Sequence, residues 1–226
     1  SFIYSNLNKI TKIAVSLDTH THHQIFHQSW WSDRDGNFPA PFTLITLEDA
    51  ENGLWRPNAE SEKTLEYLKH LEADKKKTLC IWPYHCLQGT SGAALENQFA
   101  NMAYFHSVAR NSSLMRLVKG QQEVTEFYGI IKPEYDPEGY VNDYFISELA
   151  KYDKIVIAGE AKDYCVYETL VQMLELFAHD RETQEKIYIL EDCMSAIQPK
   201  SVADDMYSSL ASAGAIHLVK STEDFL

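Results

Sequence analysis

Residues 154–166 read KIVIAGEAKDYCV. Lys154–Ala158 is a short apolar run rich in β-branched residues, with the length and composition of a strand. Gly159 ends it, and Tyr164–His179 repeats its apolar positions at helical spacing. A strand, a glycine turn and a helix in succession form half of a crossover unit, and such units build parallel sheets. The alternation recurs along the chain. Lys12–Leu17, Thr78–Trp82, Leu114–Val118, Ile187–Leu190 and Ile216–Val219 read as further strands. Ser61–Ala73, Ala93–Arg110 and Ser201–Ala213 read as further helices. The expected fold is α/β, a mostly parallel sheet covered by helices on both faces. With 226 residues, one domain spanning 1–226 is expected.

Two stretches interrupt the pattern. Trp30–Pro57 is rich in Pro, Gly, Asn and Asp, contains Trp30, Trp31 and Trp55, and reads as a long ordered loop. Lys132–Asn142, with Pro133, Pro137 and Gly139, reads either as a lid beside a site or as a surface excursion.

Composition narrows the partners. The net charge of −13 repels phosphate backbones, so nucleic acid and anionic membranes are poor partners and a small or neutral substrate fits better. No apolar run approaches the ~20 residues that span a bilayer. The four cysteines, Cys80, Cys86, Cys165 and Cys193, form no Cys-x-x-Cys and suggest no disulfide framework. Free thiols in a reducing compartment, and hence a cytoplasmic location, are expected.

Parallel sheets bind ligands at the carboxyl ends of their strands. After the first strand comes Asp18-Thr19-His20, followed by His22, His23 and His27. Two residues apart in an extended segment, Asp18 and His20 project to one side. A carboxylate and an imidazole so placed can share a divalent metal, although a polar loop has the same composition. After the second strand comes Pro83-Tyr84-His85-Cys86, where His85 is available as a third ligand. His85 and Cys86 would face opposite ways in a strand, so Cys86 reads as packing. Lys119-Gly120 follows the next strand and either enters a cleft or is solvated. Cys165 falls in the first turn of a helix, where free N–H groups and partial positive charge lower a thiol pKa and stabilise an oxyanion. The plain alternative is a buried structural cysteine.

Taken together, SLDTHTHHQIFH, IWPYHCLQGTSGAAL, LVKG and AGEAKDYCVYETL resemble the nicotinamidase branch of the isochorismatase-like cysteine hydrolases, in that family's order, from about Ile13 to about Ala215. The resemblance implies an isochorismatase-like hydrolase fold. It implies Cys165 as nucleophile and Lys119 as the lysine that steadies the thiolate. It implies Asp18, His20 and His85 as ligands of a divalent metal, usually zinc with iron and manganese as alternatives, and His27 as a further candidate. It also implies a cis peptide at Glu160–Ala161, an oxyanion hole from the Ala161 and Cys165 N–H groups, and a small-molecule amide as substrate. Members of the family are often homo-oligomers.

The sequence departs from the family in two places. The family's triad needs an aspartate on its first strand, and nothing of that kind precedes Asp18. Instead Ser1–Ile10 reads as a helix, with Phe2, Ile3, Leu7 and Ile10 on one face. The expectation is an N-terminally truncated chain whose first strand is missing. Where compact nicotinamidases carry a Tyr-Ser pair after the lysine, this chain has Glu126-Phe127-Tyr128-Gly129. The expected function is a metal-containing cysteine amidohydrolase acting on nicotinamide or a related small amide through a thioester on Cys165. The alternatives are a catalytically inactive small-molecule-binding protein and a cysteine hydrolase of another small amide. A structural zinc protein ranks last, since such sites are usually closed by four protein ligands.

Overall fold

The computed structural model describes residues 2–74 and 77–226. Its strands are β1 (Ala14–Asp18), β2 (Trp31–Ser32), β3 (Leu44–Ile45), β4 (Arg56–Pro57), β5 (Leu79–Cys80), β6 (Met115–Lys119), β7 (Ile155–Glu160), β8 (Ile187–Ser195) and β9 (His217–Val219). Its α-helices are α1 (Phe2–Ser5), α2 (Leu47–Glu51), α3 (Ser61–Asp74), α4 (Asn97–Ala109), α5 (Asp143–Leu149), α6 (Tyr167–Leu176), α7 (Arg181–Gln184) and α8 (Lys200–Ser212). The fold is α/β, and its longer strands run parallel. β1 pairs with β6, and β7, β8 and β9 form a second parallel ladder. Among the described residues the two ladders share no backbone pairing.

One core lies between the longer strands and their helices. Leu170 and Met173 of α6 lie almost one turn apart and are fully buried, with Val166 one turn ahead of Leu170 on the same face. Leu170 and Met173 pack in one cluster with Ile187 and Ile189 of β8, Tyr207 of α8 and Phe145 and Leu149 of α5. Each such side chain stabilises the fold by roughly 1.5–3 kcal/mol.

The segment 30–57 is more than the loop expected of it. It holds β2, β3, α2 and β4, and it anchors a second core. Trp30, Trp31 and Ile45 are fully buried with Tyr67, Leu79 and Ile81. The indole N–H of Trp30 donates to Thr64 at 3.1 Å, and that of Trp31 donates to the Ile25 carbonyl at 2.6 Å. Thr46 and Asp49 cap α2 reciprocally. Pro and Gly signalled turns correctly, but strands of two residues are too short to show alternation.

Other boundaries shifted. Of the helix expected over residues 1–10, Ser1 lies outside the described residues, and α1 ends at Ser5. Asn6 turns its side-chain amide back onto the Phe2 carbonyl at 3.0 Å, a local bond that competes with helix continuation. β5 pairs antiparallel with β3, within the segment expected to be loop. Lys132–Asn142 has no regular structure. It packs on α3 and α6, with the Gln172 amide donating to the Lys132 carbonyl and Tyr135 donating to Glu66. No helix among the described residues is long and apolar enough to cross a membrane.

Candidate active site

The carboxyl ends of β1, β6 and β7 converge. The β1–β6 register sets Asp18 directly beside Lys119, each the last residue of its strand. Lys119 is only 5% exposed, so the solvated reading fails. Its ammonium donates to Asp18 Oδ1 at 3.0 Å and to the Phe127 carbonyl at 2.9 Å, and lies 3.5 Å from Cys165 Sγ. Burial opposes its charge, but Cys165 and Asp18 more than offset that and raise its pKa above the ordinary value.

Cys165 sits in a π-helical turn, Lys162–Val166, that leads into α6. This corrects the expected simple first α-helical turn. The Glu160–Ala161 peptide before it is cis. The thiol does not have the lowered pKa expected from a helix start. Burial pushes it up, and Lys119 only partly opposes this.

Asp18, His20 and His85 bring their ligand atoms within 4.8 Å of one another. Two parallel bridges, His27 to Trp82 and His20 to Leu87, run the 82–87 segment alongside 20–27 and bring His85 to His20. Cys86 is not in a strand. It has φ 47°, and its carbonyl accepts from the His20 N–H at 2.9 Å. The orientation of the histidines fits a cation. His20 Nδ1 faces the Gly120 carbonyl at 2.9 Å and His85 Nδ1 faces the Pro83 carbonyl at 2.8 Å. A carbonyl only accepts, so the neutral tautomer that carries its proton on Nδ1 would leave each Nε2 free to bind a metal. The two Nε2 atoms lie 3.0 and 3.7 Å from Asp18 Oδ2, and the first of these contacts is a hydrogen bond. In that tautomer three acceptors aimed at one another suit a divalent metal, with carbonyls orienting the imidazoles from behind. Burial holds His85 below its ordinary pKa, which favours the neutral, ligating form. Asp18 lies well below the usual carboxylate range because the His20 hydrogen bond and the Lys119 charge overcome its burial.

His27 lies outside this cluster. It is fully buried, its ring centroid is 6.0 Å from that of His20, and its Nε2 has no hydrogen-bond partner among the described residues. Burial, followed by the His20 charge, lowers its pKa to about 4.

Sequence reasoning missed two supports. Gln24 is fully buried and donates to the Gly120 and Gln122 carbonyls at 2.8 and 2.7 Å, locking the turn after β6. No periodicity marks it, because its partners lie nearly a hundred residues away. Gly120 is needed for space as well as for its φ of +79°. A Cβ there would lie 2.7 Å from His20 Cε1 and 2.9 Å from Asp18 Oδ1. Gly120→Ala is therefore expected to lower stability by more than about 1 kcal/mol, read by thermal unfolding. An unchanged melt would contradict the crowding.

No family model matches the chain, and no curated protein matches its sequence. Solved structures do match. The yeast nicotinamidase bound to the inhibitor nicotinaldehyde is 18% identical, with 94% of this chain and 81% of that chain covered at a TM-score of 0.61. An Acinetobacter nicotinamidase/pyrazinamidase is 16% identical, with 98% and 83% covered at 0.61. The Pyrococcus horikoshii pyrazinamidase in complex with zinc is 17% identical, with 97% and 80% covered at 0.51. The chain has the fold of these proteins, the isochorismatase-like fold expected from its motifs.

Proposed function

We propose that the chain is a metal-containing cysteine amidohydrolase, hydrolysing nicotinamide or a related small amide to the acid and ammonia. One observation carries this reading: a single buried cation, Lys119, touches both Asp18 and Cys165, joining the thiol to the carboxylate of the candidate metal cluster. The shared fold with the yeast nicotinamidase supports it.

In this reading Cys165 Sγ attacks the amide carbonyl carbon. The N–H groups of Ala161 and Cys165 receive the oxyanion. The C–N bond breaks as the nitrogen takes the proton given up by the Cys165 thiol, ammonia leaves, and water then adds to the thioester carbonyl, giving its hydroxyl to the acid and its proton back to the sulfur. Lys119 stays an ammonium ion beside the sulfur and favours its thiolate form. Asp18, His20 and His85 hold a divalent metal, for which zinc is the first choice and iron or manganese the alternatives. When bound, that ion supplies a Lewis acid for the ring nitrogen of a pyridine amide and so orients the carboxamide.

His85→Ala is expected to lower the metal content of the purified protein, measured by elemental analysis. Metal retained at the parental level would remove His85 from the site. A second reading, an inactive small-molecule-binding protein, is favoured by one observation: burial raises the Cys165 thiol above its ordinary pKa. An ammonia-release assay against a panel of small amides separates the two. Turnover supports the enzyme, and nicotinamide binding without turnover supports the binder.

A further inference from the structure

Resting on the amidohydrolase reading, we propose that Glu126 is a positioning residue that fixes Trp82 and Tyr128 as an aromatic wall for a flat substrate ring. Glu126 is only 2% exposed, and the mechanism above does not use it. Its carboxyl gathers donors from three parts of the chain. Tyr67 of α3 donates to Oε2 at 3.0 Å. Trp82, beyond β5, donates its indole N–H to Oε1 at 3.2 Å. Tyr128, beyond β6, donates its hydroxyl to the same oxygen. The Trp82 N–H also lies 3.0 Å from the Tyr128 hydroxyl.

These bonds hold the polar edges of Trp82 and Tyr128 on one carboxyl group and so fix how the two rings lie. Trp82 meets Tyr164, the neighbour of Cys165, edge to face at 5.1 Å, and Tyr128 lies 6.0 Å from Tyr164. Trp82 also lies 6.4 Å from His85. Trp82 therefore stands between a residue of the candidate metal cluster and the residue next to Cys165. A buried carboxyl is costly, and an apolar side chain would fill the same space without that cost. What the carboxyl adds is a fixed orientation for two rings.

The cluster is complete only for the ionised carboxylate, because three donors point at it. Protonation would leave one donor without an acceptor. Its titratable surroundings are Tyr67 from α3, Cys80 from β5, Tyr128 and Glu134 from the segment after β6, and Tyr164 ahead of α6. Lys77 and Glu168 lie behind Glu134. Burial first, then the charge of Glu134, pushes Glu126 up to about 7 against the hydrogen bonds it receives. With three donors converging on it, this carboxyl is expected to make the order of the two rings depend on pH.

The test uses the metal-loaded full chain, nicotinamide, and the variants Glu126→Ala, Glu126→Gln and Trp82→Phe. The fluorescence of Trp82, taken as the difference between the parent and Trp82→Phe, is expected to titrate near neutral pH. In the Glu126→Gln background that titration should vanish. Glu126→Ala is expected to raise KM about tenfold with kcat within about threefold. Glu126→Gln, which offers one acceptor oxygen where three donors converge, is expected to restore part of the KM and to leave it independent of pH. A pH-independent Trp82 signal in the parent would overturn the proposal. So would an unchanged KM in Glu126→Ala, or an equal loss in kcat and kcat/KM that Gln does not rescue. If Glu126→Ala fails to fold, the Gln variant and the parental titration still decide. If the parent turns over no amide, the amidohydrolase reading fails, while the substrate-free fluorescence arm still tests whether Glu126 sets Trp82.

Discussion

Cys165→Ala is expected to abolish ammonia release from nicotinamide, a loss on the order of 10⁴-fold or more, while metal content stays at the parental level. The size follows from the role. In the proposed chemistry the sulfur forms the covalent intermediate, and alanine offers no substitute atom. The unchanged metal content follows from the geometry. The candidate ligand atoms come from Asp18, His20 and His85, and Lys119 stands between Asp18 and Cys165. The substitution removes one sulfur from a half-buried site. Its effect on folding should therefore be small, and a thermal melt alongside the assay separates misfolding from lost chemistry. Ammonia release at the parental rate would remove Cys165 from the mechanism.

Lys119→Met is expected to reduce kcat/KM by about 10²–10³-fold. It should also destabilise the metal-free protein by up to about 3–5 kcal/mol. All three directions in which the ammonium donates are occupied: Asp18, the Phe127 carbonyl and Cys165. Methionine fills similar space but leaves Asp18 without its cationic partner and the thiol without the charge that opposes its burial. Adding zinc to the Asp18 cluster would supply a new counter-charge. The loss of stability should therefore shrink on metal loading, whereas the loss of activity should not. Thermal unfolding with and without zinc, beside the ammonia assay, reads both effects. A destabilisation independent of metal would show that Lys119 and the cluster are not coupled through Asp18.

The strand ends were legible because their signals are local. Lys154–Ala158 with Gly159 behind it, and Lys12–Leu17 with Asp18-x-His20 behind it, carry strand and turn patterns within a dozen residues. β7 and β1 lie close to those expected positions. The segment 30–57 was misread because its strands are only two residues long and its stability comes from Trp30 and Trp31 packing onto α3 and β5. The His85 contact was suggested by motif, but the reason given for Cys86 was wrong. Cys86 occupies a left-handed turn and not a strand. Gln24 and Glu126 carried no usable signal, since a buried polar side chain looks like a surface one until its partners are known.

By itself, then, the sequence determined the alternation of parallel strands with helices and the presence of Asp18, His20, His85, Lys119 and Cys165 at or near strand ends. Hydrophobic period and turn chemistry act over a few residues and can be read in one dimension. Only the tertiary structure decided that Lys119 lies between Asp18 and Cys165, that both imidazoles turn Nε2 toward one carboxylate, and that Glu126 stands behind Trp82. It also reversed the sign expected for the Cys165 thiol, whose pKa is raised. A helix start is a local feature that favours a thiolate, whereas burial and the charge of Lys119 come from residues distant in sequence. Desolvation is the largest influence, and it is a property of the packed molecule.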